Sequence, residues 1–167
     1  MTRWACLYAT LAMLALAWGL PSPVWTATAR LPVGELVREA DLVAVVNIMT
    51  VQDLPEMPLA IATLKMRDIL KAPADFASES ITVAFPSLRV PEGTSRRVFS
   101  IGPTYRPGEA AVVFLKEKPQ AQHFETIRTQ LGKRTITNDH VAYEEVTLDA
   151  FLGQIRAALS SFAGESP

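Results

Sequence analysis

The chain has 167 residues, of which 16 are basic and 17 acidic, for a formal net charge of −1. That length fits one domain. So even a balance excludes the strong attraction to nucleic acid that a basic surface gives, and no nucleic-acid partner is expected.

The charges are unevenly spread. Arg3 is the only charged side chain among residues 1–29, and it precedes an apolar run over residues 11–20 that breaks at Pro21. Small residues follow at Ala27-Thr28-Ala29. A basic start, a short apolar stretch and an A-x-A site predict a secretory signal peptide over residues 1–29, cleaved after Ala29. The alternative is an uncleaved membrane anchor, but the apolar stretch is shorter than the roughly 20 residues a spanning helix needs. The expectation is therefore an exported protein, periplasmic or secreted, with no stable membrane insertion after cleavage.

Removing 29 of 167 residues leaves a single domain, residues 30–167, of 138 residues. The leader carries one arginine and no acid, so 15 basic and 17 acidic side chains remain, a net of −2. It also carries Cys6, the only cysteine. Small secreted domains commonly rely on disulfides. A thiol-free one long enough to bury its own core points to a bacterial envelope protein.

Val33, Leu36, Val37 and Ala40 recur at helical spacing, with Pro32 suited to the first turn, so a short helix opens the domain. Residues 42–51 form a β-branched run that predicts a long strand. After a loop with two prolines, residues 59–70 alternate, with Ala60, Ala62, Leu64 and Met66 on one side. They predict a half-buried strand antiparallel to the first, although Leu, Lys, Met and Ala also favour a helix. Residues 80–85 alternate as a strand, 86–95 form a loop, and 96–101 form a short edge strand.

Pro107-Gly108 leads straight into Ala110-Ala111-Val112-Val113-Phe114-Leu115, which stops at Lys116. A continuous apolar run between turn signals predicts a central strand buried on both faces. Residues 123–130 predict a weaker strand. Residues 133–137 and 140–146 flank Asn138-Asp139 as a hairpin. Thr147 is placed to cap a last helix, whose Leu148, Phe151, Leu152, Ile155, Leu159 and Phe162 share one face. Seven or eight short strands with a helix at each end predict a mainly β fold: a small β-barrel or sandwich with flanking helices.

The order of these segments resembles a family. GELVREADLVAVVNI, MRDILKA, ITVAF, YRPGEAAVVFLKEK, GKRTITNDHVAYEEV and TLDAFLGQIRAAL follow one another as in exported bacterial proteins with a netrin-like, OB-type barrel, distantly similar to tissue inhibitors of metalloproteinases. Asn47 and Ala72 stand where that pattern has glycine. The resemblance implies a small OB-like (netrin-like) β-barrel with a short N-terminal helix and a C-terminal amphipathic helix, and an export route. It implies no enzyme activity. The inhibitors chelate zinc through an N-terminal cysteine, and the mature chain has none, so that mechanism does not carry over.

Chemistry-bearing residues are sparse. His123 and His140 would lie on nearby strands and, with Asp139 or Glu125, offer metal-ligand types. Each sits at a strand start, an ordinary surface position, so no metal and no cofactor is expected. Glu144 and Glu145, adjacent on a strand, would point to opposite faces and cannot act as an acid/base pair. No serine lies in a G-x-S-x-G elbow. Arg89, Arg96, Arg97 and Arg106, with Tyr105, gather around the loop before the central strand. They are the candidate ligand-binding residues, suited to an anionic or carbohydrate ligand. The alternative is a solvated loop whose arginines pair with Glu92 and Glu109. The sequence thus favours a non-enzymatic binding protein whose partner is a protein or an envelope component. A structural or assembly accessory without a ligand site comes second, and an enzyme third.

The mature protein should begin at Arg30. Intact-mass measurement of the exported protein checks this, and a chain retaining Met1 in the membrane fraction would overturn it.

Overall fold

The computed structural model describes residues 31–54, 57–87 and 102–164. The expected leader over residues 1–29, the expected edge strand over 96–101, and Arg89, Arg96 and Arg97 lie outside them. Eight strands are present among the described residues: β1 (Leu42–Asp53), β2 (Leu59–Lys71), β3 (Ser80–Pro86), β4 (Ala110–Lys118), β5 (His123–Thr126), β6 (Lys133–Thr137), β7 (His140–Val141) and β8 (Val146–Thr147). Helix α1 (Val33–Glu39) precedes them and α2 (Leu148–Ala163) follows.

The first five strands close on themselves in the order β1-β2-β3-β5-β4, with β4 returning to β1. All these pairings are antiparallel except β3 with β5. This is a mainly β fold, a closed five-stranded barrel compatible with an OB-like one. Closure depends on β1, which pairs with β2 along one edge and with β4 along the other. Its register against β2 slips at Val43/Ala44, Val45/Val46 and Ile48/Thr50. Irregularities of this kind add twist and bend a strand, which lets one strand serve two partners around a small barrel.

Why β1 and β4 are apolar on both faces is now plain. Side chains alternate across a strand. Leu42, Ala44, Val46 and Ile48 of β1, with Ala111, Val113 and Leu115 of β4, fill the barrel interior alongside Leu64, Val83, Phe85 and Tyr105. Val43 and Val45, with Val112 and Phe114, face outward into a second core formed with Leu36 and Val37 of α1 and Phe151, Leu152 and Ile155 of α2. Phe114 is fully buried, and its ring meets Phe151 edge-on at 6.5 Å between centroids. Phe114 thus belongs to the layer between barrel and helices.

Both helices are held by specific contacts. Lys71 Nζ donates to the carbonyls of Val37 at 2.9 Å and Ala40 at 2.5 Å, which satisfies the C-terminal end of α1. Thr147 Oγ1 accepts from the Ala150 amide at 3.4 Å and caps α2. The guanidinium of Arg38 lies 4.8 Å over the Phe162 ring. Arg128 is hydrogen-bonded to Glu39 and holds its carboxyl below the usual carboxylate range. Asp41, just before β1, accepts from the Glu117 amide at 3.0 Å and pairs with Lys116 at 3.1 Å, which ties the start of β1 to the end of β4.

Two segments depart from the sequence reading. The fifth strand ends at Thr126 rather than running to residue 130, because Arg128 and Thr129 turn left-handed at φ +47° and +53°. A 3-10 turn then carries the chain to Gly132, where a Cβ would sit 2.2 Å from the Ile127 carbonyl oxygen. Glycine is required there by close approach. The Asn138-Asp139 hairpin forms as expected, both residues at positive φ, but its second strand is only His140–Val141. Residues 142–145 are a turn instead of strand, and Glu144 and Glu145 therefore do not alternate across a sheet.

Phe114→Ala should cost about 3–5 kcal/mol, a large share of the roughly 5–15 kcal/mol that stabilises a domain. A thermal melt with a midpoint within a degree or two of the parent would show that the outer core does not hold the helices on.

Candidate functional site

Gly102, Pro103 and Thr104 lead to the turn before β4. Pro107 and Gly108 occupy the two central positions of that turn, which the Glu109 amide closes on the Arg106 carbonyl at 3.2 Å. Gly108 has φ +84°. Proline first and a positive-φ glycine second give a type II turn. It is stitched to β1, since Gly108 N donates to Ile48 O and Ile48 N donates to Glu109 O, each at 2.9 Å.

This geometry sends Tyr105 and Arg106 in opposite directions. Tyr105 points into the barrel and is only 3% exposed. Its hydroxyl lies 2.6 Å from Thr126 Oγ1, and its ring is 5.0 Å from that of Phe85. Burial pushes the hydroxyl well above the ordinary phenol range. The folded state therefore holds that proton more tightly than the unfolded chain. The Tyr105 contribution to stability is complete below about pH 10 and is lost above it. Tyr105 is a core residue, and its ring is not presented to a ligand.

Arg106 is exposed and lines a cleft of about 280 Å³ with Thr104, Glu109, Gln130, Lys133, Thr135 and Tyr143. Lys133, which also lines it, is buried. Its ammonium donates to the Thr104 carbonyl, pairs with Glu109 at 2.6 Å and lies 5.0 Å from the centre of the Tyr105 ring. Glu109 is thus taken by Lys133. Among the described residues no carboxylate lies within ion-pair range of Arg106.

The other wall is the turn 142–145. Tyr143 stands 80% exposed with φ +71°, and Glu145 has φ +56°. Glu144 between them reaches back to Arg134 Nε at 2.9 Å, and Arg134 is almost fully buried. Ala142 N also donates to the Thr135 carbonyl at 2.8 Å. Lys133 and Arg134 are neighbours on β6 and so point to opposite faces. One secures the turn before β4 and the other the turn that carries Tyr143.

Of the residues singled out in the sequence, Arg106 lies in the cleft and Tyr105 lies beneath it, while Arg89, Arg96 and Arg97 fall outside the described residues. Lys133, Gln130 and Tyr143 were not anticipated. Tyr143 gave no signal, because nothing in Ala142-Tyr143-Glu144-Glu145 is an ordinary turn former.

A second, more apolar cleft of about 440 Å³ opens between β3 and β5 and is lined by Phe85, Pro86, His123 and Thr126. The two histidines are not neighbours, since β4 and β6 separate β5 from β7. Each ring nitrogen Nδ1 sits against a carbonyl two residues back, His123 on Ala121 at 3.1 Å and His140 on Asn138 at 3.0 Å. Among the described residues no three His, Cys, Asp or Glu side chains gather as a metal site, and no helix is long and apolar enough to cross a membrane.

No protein-family model matches this chain, and no curated protein matches it.

Glu144→Ala should destabilise the protein by about 3 kcal/mol, because it leaves the buried Arg134 guanidinium without its counter-charge. Lys116→Ala, which breaks an exposed pair with Asp41, should cost less than about 1 kcal/mol. Urea unfolding of both variants checks the contrast, and equal losses would contradict it.

Proposed function

We propose that this is a non-enzymatic binding protein exported to the bacterial cell envelope, and that it engages its partner, a protein or an envelope component, through the Arg106 side of the barrel. The observation that carries the reading is Arg106 itself: an exposed guanidinium beside a polar cleft, with no carboxylate partner among the described residues. Arginine is enriched where binding energy concentrates, and loops on a rigid scaffold carry binding more often than the scaffold does. Arg89, Arg96 and Arg97 belong to the same connection between β3 and β4, and the reading extends to them. The other two charged side chains that line the cleft, Lys133 and Glu109, are paired with each other. That favours binding over acid–base chemistry.

The export half of the reading rests on the leader-like residues 1–29 and on the resemblance to netrin-like exported proteins, with which an OB-compatible barrel agrees. An OB-type barrel binds through its loops and one face, and the cleft lies at a loop.

Capture from envelope extract tests the proposal. Arg96→Ala with Arg97→Ala should weaken capture yet leave the melt nearly unchanged. Raised salt should weaken capture by the unaltered protein as well. His123→Ala with His140→Ala is the control and should do neither. Loss of capture in the histidine variant alone would move the site to those strands.

A further inference from the structure

Tyr143 is held in a conformation that its side chain does not reward. A bulky residue at φ +71° is a backbone outlier. Glycine adopts that region without strain, and strain of this kind persists only where the surroundings fix it. Here they do, since the buried Arg134 grips Glu144 and the Thr135 carbonyl holds Ala142. Strain in a core residue is offset by packing. Tyr143 is 80% exposed and gains almost none. It instead lines the same cleft as Arg106.

We infer that this turn is a recognition element for an acidic saccharide, a pyranose unit bearing a carboxylate. The inference rests on the binding reading above and names its ligand class. The exposed tyrosine face offers a stacking surface for the C–H face of a sugar ring, with the phenol hydroxyl free to hydrogen-bond at its edge. Arg106 presents two parallel N–H donors to the carboxylate. Lys133 cannot take that role because Glu109 already holds it. Thr104, Gln130 and Thr135 supply the mixed donors and acceptors that sugar hydroxyls need. An extended acidic peptide would call for an open strand edge or apolar side-chain pockets, and this cleft is mainly polar.

The test is a titration of the isotope-labelled protein, expressed as the whole chain, with trigalacturonate, maltotriose or hexaglutamate, followed by amide chemical shifts. Trigalacturonate should move Thr104, Arg106, Gln130 and Tyr143. Tyr143→Gly should weaken it at least tenfold while melting no lower than the parent, because glycine relieves the turn. Arg106→Gln should weaken trigalacturonate at least tenfold and leave any maltotriose response unchanged. Maltotriose binding as tightly as trigalacturonate would overturn the acidic preference. Hexaglutamate alone shifting these amides would overturn the saccharide in favour of a peptide. No shift with any probe at millimolar concentration would overturn the inference. So would full binding by Tyr143→Gly, or a much lower melt of that variant, which would give the ring a structural role. If Tyr143→Gly still captures an envelope partner that the arginine variant loses, the binding reading stands and only the saccharide assignment falls. If neither variant affects capture, the site reading itself fails.

Discussion

Leu42–Asn47 of β1 lie against Ala110–Leu115 of β4 in one unbroken antiparallel register, and each strand brings further partners. β4 carries β6 beside its first half and β5 beside its second, on the edge away from β1. One pairing therefore closes the barrel, seats the branch that leads through β6 to α2, and supplies the apolar outer face on which both helices pack. A polar residue at Val112 or Phe114 would spoil the outer layer, whereas one at Val113 would spoil the interior. The strand tolerates neither, which is why its apolar run is continuous.

The polar groups buried in this frame are few and placed where loops need anchoring. Lys133 and Arg134 emerge from consecutive positions of β6, and each meets one carboxylate and one backbone carbonyl. Among the described residues no buried side-chain nitrogen or oxygen lacks a partner. Pairs of this type add little net stability against an apolar alternative, but losing one member is costly. Their effect here is positional: they set the turn before β4 and the turn at Tyr143 on either side of one cleft.

Much of the fold was legible because it follows from local rules. The type II turn announced itself as Pro107-Gly108, the hairpin as Asn138-Asp139, the last helix by Thr147 and a single apolar face, and the central strand by its uninterrupted run. What was not legible depends on tertiary contacts. Arg128 and Thr129 turn left-handed although neither residue type favours it. The turn at 142–145 is held where Arg134 captures Glu144, whereas the hairpin signal at Asn138-Asp139 suggested that the strand ran on to residue 146. Tyr105 was grouped with Arg89, Arg96, Arg97 and Arg106 by proximity in sequence, yet Tyr105 is buried in the core and Arg106 beside it is exposed, a difference set by tertiary packing. Lys133 gave no sequence signal of burial, since lysine is seldom buried unless paired.

The long β1–β4 pairing also bears on how the chain reaches its folded form. A β1–β2 hairpin can assemble from neighbouring residues, but the second edge of β1 stays open until residue 115 is available. Ribosomes deliver a chain from its N-terminus, so Leu42 to Ile48 wait, as an apolar strand with one unpaired edge, while the middle of the molecule is still arriving. Such edges are templates for association between chains, and contacts this distant in sequence slow folding. The interval before closure is therefore the moment at which this protein is most exposed to aggregation, and a holding factor would act on β1.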